Sequence, residues 1–222
     1  MRRVIAGLAL LSSVACGVLP DVKAGSSCSS AFMAQTKSCL NAYFSGFGLN
    51  PARLPPFEDY IQKIVDMTEQ NGPNGVEFFC KYEVTVESCL GYLFNSPCMT
   101  AASFQDMYNM NLAQAIDYST DFPVRAYMCN NKDFVEENLA CFNDINDNHF
   151  DERRQCAAAV EKDIKNVKNG DYCSPWAGYL TCTDDFYVKY CGPQVKGYVC
   201  NVIKEGINWD SQGICMSILP LC

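Results

Sequence analysis

Apolar positions recur along this chain at helical rather than strand spacing. Phe57, Tyr60, Ile61, Ile64, Val65 and Thr68 fall at i, i+3, i+4, i+7, i+8 and i+11, which lines one face of a helix. Pro55-Pro56 precedes that run and Asn71-Gly72-Pro73 stops it. Ser103 with Asp106 reads as a capping box ahead of Phe104, Met107, Tyr108, Leu112, Ala115 and Ile116. Asp133 with Glu136 opens another helix, with Phe134, Val135, Leu139 and Phe142 inward. Cys156, Val160, Ile164 and Val167 form a further stripe, ended by Asn169-Gly170. Ser174-Pro175 starts the next helix with proline in its first turn. Val84-Thr85-Val86 is the best strand candidate, but it sits inside a helical period from Val76 to Phe94. The pattern predicts an all-α fold of short helices, with the Met, Tyr and Phe stripes as core.

The amino terminus has a different pattern. Met1-Arg2-Arg3 is basic, Val4 to Leu19 is an apolar run, and Val22-Lys23-Ala24 places small residues for cleavage before Gly25. These are the three parts of a secretory signal peptide, so residues 1–24 are expected to be removed. The apolar run is shorter than the roughly 20 residues a spanning helix needs, and no later segment is long and apolar enough to span a membrane. Ser13-Val14-Ala15-Cys16 offers a weaker, lipoprotein-like site, and cysteine parity separates the two readings. The chain has 15 Cys, and only cleavage after Ala24 leaves an even number, fourteen.

Those fourteen are Cys28, Cys39, Cys80, Cys89, Cys98, Cys129, Cys141, Cys156, Cys173, Cys182, Cys191, Cys200, Cys215 and Cys222. Such density in a secreted chain predicts about seven disulfides. Two runs share an eight-residue spacer, Cys80-x8-Cys89-x8-Cys98 and Cys173-x8-Cys182-x8-Cys191. Phe79-Cys80 matches Tyr172-Cys173, and Tyr127-Met128-Cys129-Asn130 matches Tyr198-Val199-Cys200-Asn201. Extended outward, Cys39 corresponds to Cys156 and Cys141 to Cys215, leaving Cys28 and Cys222 outside. The expectation is a tandem duplication of two diverged pseudo-repeats, residues 25–142 and a shorter 143–222, packed as one compact unit.

The spacer also constrains the bonding. Nine residues turn a helix through about 900° and advance it about 13.5 Å, so successive cysteines face opposite sides. A disulfide needs Cα atoms within about 7 Å. Neighbours in each ladder therefore staple to different helices, and the pairing itself is not fixed by spacing. Zinc is not expected, because structural zinc favours cysteine pairs two to four residues apart.

Charge and the remaining chemistry narrow the function classes. The formal charge is −8, and loss of residues 1–24 takes it to −10. An acidic surface argues against nucleic acid as a partner. No Asn-x-Ser/Thr sequon, Gly-x-Ser-x-Gly, His-Glu-x-x-His, phosphate loop or dinucleotide fingerprint occurs. His149 is the only histidine, and it lies in a polar stretch, residues 143–152, expected to be a loop between the copies. Asp144, Asn146, Asn148, Phe150 and Glu152 fall at calcium-loop positions, but His149 stands where glycine is needed and Gln155 where the bidentate glutamate belongs. No catalytic residue, metal site or cofactor is expected, and the chain reads as a non-enzyme.

The run Phe79-Cys80, Cys89-Leu90, Cys98, Tyr127-Met128-Cys129, Cys141-Phe142, Cys173, Leu180-Thr181-Cys182 and Cys191 resembles secreted cysteine-rich helical proteins of invertebrates. It is similar to the insect twenty-seven-kilodalton haemolymph glycoprotein family over roughly residues 76–222. The resemblance implies an extracellular-fluid protein with no established enzyme activity. The expected function is a secreted binding or carrier protein for an extracellular ligand or protein partner. The alternative is a structural component of a matrix, egg coat, shell or mucus.

Overall fold

The computed structural model describes residues 28–165, 167, 171 and 173–222. The expected signal peptide, Asn169-Gly170 and Tyr172 lie outside them. Among the described residues every regular element is helical, and none is a helix long and apolar enough to cross a membrane. The fold is all-α, with short helices joined by seven disulfides. Two compact units are present, Pro20–Lys132, described from residue 28, and Asp133–Cys222. The division falls upstream of the expected 142/143 boundary, so Cys141 belongs to the second unit.

The first unit contains α1 (Ser30–Gly46), α2 (Phe57–Gln70), α3 (Gly75–Leu90), α4 (Ala101–Tyr108) and α5 (Leu112–Asn130). Ser29 caps α1, its hydroxyl accepting the Phe32 amide at 3.3 Å. Helix α2 carries Glu58 and Asp59 in its first turn, where the helix dipole favours negative charge. All six positions of its apolar stripe are buried. The Asn71-Gly72 turn, with Gly72 at φ +57°, folds α3 back so closely that a Cβ on Gly75 would stand 2.4 Å from the Thr68 carbonyl oxygen. The period read from Val76 to Phe94 is helix α3 followed by a short 3₁₀ turn at Gly91–Leu93.

The stripe from Phe104 to Ile116 is not one helix. Asn109 adopts φ 52°, which ends α4, and the Asn111 side chain accepts the Gln114 amide at 2.9 Å to begin α5. Ser103 does not cap. It lies inside α4, buried, and its hydroxyl donates to the Pro97 carbonyl at 2.8 Å, while Thr100 occupies the cap position.

Aromatic rings dominate this core. Phe44 is fully buried and meets Tyr60 and Tyr118 edge-on, both at 5.7 Å, with Phe122 at 6.3 Å. Such contacts add about 0.5–1.5 kcal/mol each beyond area burial.

The second unit contains α6 (Lys132–Asn148), which begins at the division, α7 (Phe150–Lys165), α8 (Ser174–Cys191) and α9 (Lys196–Asp210). Val135 and Phe142 are buried on α6 as expected, whereas Phe134 and Leu139 are half-buried. Asp171 starts α8 by accepting the Ser174 amide at 3.1 Å and its hydroxyl at 2.6 Å. Gly192 at φ +89°, followed by Pro193, breaks α8 from α9. Phe142, Tyr187 and Tyr198 form the aromatic centre, with Phe142 5.9 Å from Tyr187 and 6.0 Å from Tyr198.

Candidate functional site

The cysteine ladders bond as helix geometry requires. Cys80 and Cys89 both lie on α3; Cys80 bonds Cys129 on α5, and Cys89 bonds Cys39 on α1. Cys182 and Cys191 both lie on α8; they bond Cys156 on α7 and Cys141 on α6. Cys28–Cys98, Cys173–Cys215 and Cys200–Cys222 complete the set, and Cα separations across the seven run from 4.8 to 5.7 Å. Three bonds fall within the first unit and four within the second.

Counted in order within each unit, the two frameworks share a rule. In both, the first cysteine bonds the fifth and the second bonds the fourth. The third bonds the last in the first unit, Cys80–Cys129, and the seventh in the second, Cys173–Cys215. Cys200–Cys222 is then an addition to the second unit. This register differs from the one expected from local sequence. By order of bonding Cys28 holds the place in the first unit that Cys141 holds in the second, and Cys129 the place of Cys215, whereas local sequence aligns Cys129 with Cys200.

The first unit also buries a cluster of ionisable side chains. Tyr43 of α1, Tyr60 of α2, Glu83 of α3, and Asp121 and Arg125 of α5 are each no more than 4% exposed. The Tyr43 hydroxyl shares a hydrogen bond with Glu83 Oε1 and lies 3.1 Å from the Tyr60 hydroxyl. Tyr60 donates to Asp121 Oδ2 at 2.9 Å, and Arg125 Nε donates to the same oxygen. The guanidinium lies 4.8 Å from the Phe79 ring centroid and 5.5 Å from that of Tyr60, within cation–π range. Glu83 Oε2, Asp121 Oδ1 and both terminal nitrogens of Arg125 have no hydrogen-bond partner among the described residues.

Burial sets the charges of this cluster. It pushes the Glu83 carboxyl from 4.5 up to about 8, against the pull of Arg125. It also raises Asp121, where Arg125 again opposes it, and lifts Tyr43 and Tyr60 well above ordinary phenols. Burial works against the Arg125 charge, but Asp121 beside it holds the guanidinium protonated. One cation is thus matched by one carboxylate, and a second carboxyl is kept neutral at neutral pH.

The expected inter-copy loop is helical. Asp144, Asn146 and Asn148 belong to α6, His149 is the joint, and Phe150 and Glu152 belong to α7. Alternate residues on a helix diverge by about 200°, so these side chains do not converge on one ion. Asn146 is buried, and Asn148 donates to Asp144 Oδ1 at 2.6 Å. His149 stacks on Tyr190 at 3.8 Å. Glu152 accepts from Lys189 at 2.5 Å and from Tyr190 at 2.5 Å. The hydrogen bond from Lys189 holds Glu152 below the usual carboxyl range, and the same bond raises Lys189. Among the described residues no group of three or more His, Cys, Asp or Glu side chains is gathered for a metal.

The buried cluster carried a sequence signal that hydrophobic patterning passes over. Glu83 falls on the stripe Val76, Phe79, Val86, Leu90, and Arg125 on the stripe Ala115, Tyr118, Phe122. A charge in the middle of an apolar stripe marks a buried polar network. No family model matches this chain, and neither curated proteins nor solved structures show a match to it.

Proposed function

We propose that the chain is a secreted, non-enzymatic binding protein of an extracellular fluid, built from two diverged copies of one cross-linked helical module. The observation that carries this reading is apolar surface held beside disulfides. Phe32 and Tyr92 are 43% and 69% exposed and meet edge-on at 5.8 Å, on chain fixed by Cys28–Cys98 and Cys39–Cys89. Ile214 and Met216, 61% and 38% exposed, flank Cys215. Exposed apolar groups on rigid backbone lose little freedom on binding, and so serve recognition well. Seven disulfides fit an oxidising compartment. The shared order of bonding supports duplication, with Cys28, Cys39, Cys80, Cys89, Cys98 and Cys129 answering to Cys141, Cys156, Cys173, Cys182, Cys191 and Cys215. The cysteine-spacing resemblance to haemolymph proteins points the same way.

Amino-terminal sequencing of the secreted product is expected to begin at Gly25. Organic extraction of the natively purified protein, followed by mass spectrometry, is expected to yield a co-purifying apolar ligand. Protein that carries neither ligand nor partner, and localises to an insoluble matrix, would instead support the structural role to which its acidity and staples are also suited.

A further inference from the structure

We infer that Glu83 is a proton switch for the first unit: one proton on its carboxyl completes a hydrogen-bond chain through four helices, and loss of that proton leaves one link without a donor. The argument is a count of hydrogens. Tyr60 spends its only O–H on Asp121 Oδ2, so the contact between Tyr43 and Tyr60 at 3.1 Å needs the Tyr43 hydrogen. With Tyr43 donating to Glu83 Oε1 the Tyr43–Tyr60 contact has no hydrogen, and only a proton on the carboxyl, which reverses the Glu83–Tyr43 bond, supplies all three links. The protonated chain runs Glu83 to Tyr43 to Tyr60 to Asp121, which Arg125 also serves.

When Glu83 ionises, Tyr43 can serve the carboxylate or Tyr60, but not both. Two oxygens then face each other in a fully buried site, and two carboxylates share one guanidinium. The titratable and charged groups facing Glu83 are Tyr43 from α1, Tyr60 from α2, Asp121 and Arg125 from α5, and Glu87 one turn along α3 itself. Of these only Arg125 favours the ionised form by its charge, and Asp121 already engages it.

The direction in pH follows. The native carboxyl holds its proton to about pH 8, whereas an exposed one loses it near 4.5. The stabilisation is whole below about 4.5, declines as pH rises, and is gone above about 8. The first unit is therefore tightened by acid and loosened by mild alkali, independently of any ligand.

Amide hydrogen exchange on the intact oxidised protein, expressed as protection factors from pH 5 to 9, tests this. Protection in α1, α2, α3 and α5 is expected to fall by on the order of 10³-fold across that range. Glu83→Gln, whose amide supplies a permanent donor, should flatten the fall. Trp176 and Trp209, the only two tryptophans, both lie in the second unit and give a fluorescence control that should not follow the change. Should Glu83→Gln fail to fold, carbon-13 titration of the Glu83 carboxyl in the unaltered protein decides. A midpoint near 8 supports the switch, and one between 4 and 5 overturns it, as would a Glu83→Gln profile as steep as the parent's.

Discussion

The two units share a bonding order yet spend their polar groups differently. In the first, Arg125 and Asp121 form an ion pair at the centre of an aromatic core, both no more than 1% exposed. In the second, the comparable polar contacts lie toward solvent: Lys189 meets Glu152 with side chains 57% and 40% exposed. Arg153 is the nearest counterpart inside, and its terminal nitrogen donates to the Tyr187 hydroxyl at 3.4 Å. The second unit also carries the extra bond Cys200–Cys222. Among the described residues the smaller unit, with four α-helices to the first unit's five, carries the larger number of cross-links. The framework is thus the common element, and the interior is where the units diverge.

Arg125→Met should show that divergence most strongly. It strips the counter-charge from Asp121 inside a buried core, a class of change worth about 3–5 kcal/mol. Thermal unfolding followed by tyrosine absorbance should shift sharply downward, while tryptophan fluorescence from the second unit changes little. Equal loss in both signals would show that the units unfold as one.

Cross-link removal compares the units directly. Cys39→Ser with Cys89→Ser opens a loop of 50 residues, and Cys156→Ser with Cys182→Ser one of 26. Chain entropy alone gives about 4 and about 3.5 kcal/mol. Denaturant midpoints should therefore fall by similar amounts; a much larger fall in the second unit would mean that its core contributes little by itself.

Gly46→Ala probes packing in the first unit alone. Its Cβ would stand 2.4 Å from a ring carbon of Tyr82, which is itself packed on Phe47 at 4.6 Å. Overpacking of this kind costs about 1–3 kcal/mol, readable as a lower melting temperature. Lys189→Ala should do least. The pair is exposed and screened by solvent, so no measurable change in melting temperature is expected. The Glu152 carboxyl should move back up toward its ordinary value, which nuclear magnetic resonance titration would detect.

Much of this architecture was legible from periodicity. The α2 stripe, the α3 helix running through Val84-Thr85-Val86, and the opposite-facing ladder cysteines all follow from 3.6 residues per turn. What periodicity could not supply was phase across short breaks. Asn109 in the left-handed region splits a stripe that reads continuously, because two helices can present apolar residues to the same core from either side of a three-residue turn. The stretch 143–152 is polar yet helical on both sides of His149, since its outward face is solvated while Ile145 and Asn146 are buried. The Glu83–Arg125 cluster joins four helices, and its signal on any one of them is a single misplaced charge. The order of bonding was not legible for a related reason. Flanking residues such as Tyr198 and Asn201 record local likeness, whereas a disulfide records which helices meet.

The separation of the disulfides has a consequence for biogenesis. By the time residue 129 has left the ribosome, all six described cysteines of the first unit have their partners, and none needs to wait for Cys141. Six cysteines allow 15 arrangements and eight allow 105, a far smaller search than fourteen taken together. A chain that oxidises in the order of its synthesis solves two small problems in succession, and a cysteine from one unit bonded to the other would mark a molecule that had been released too early.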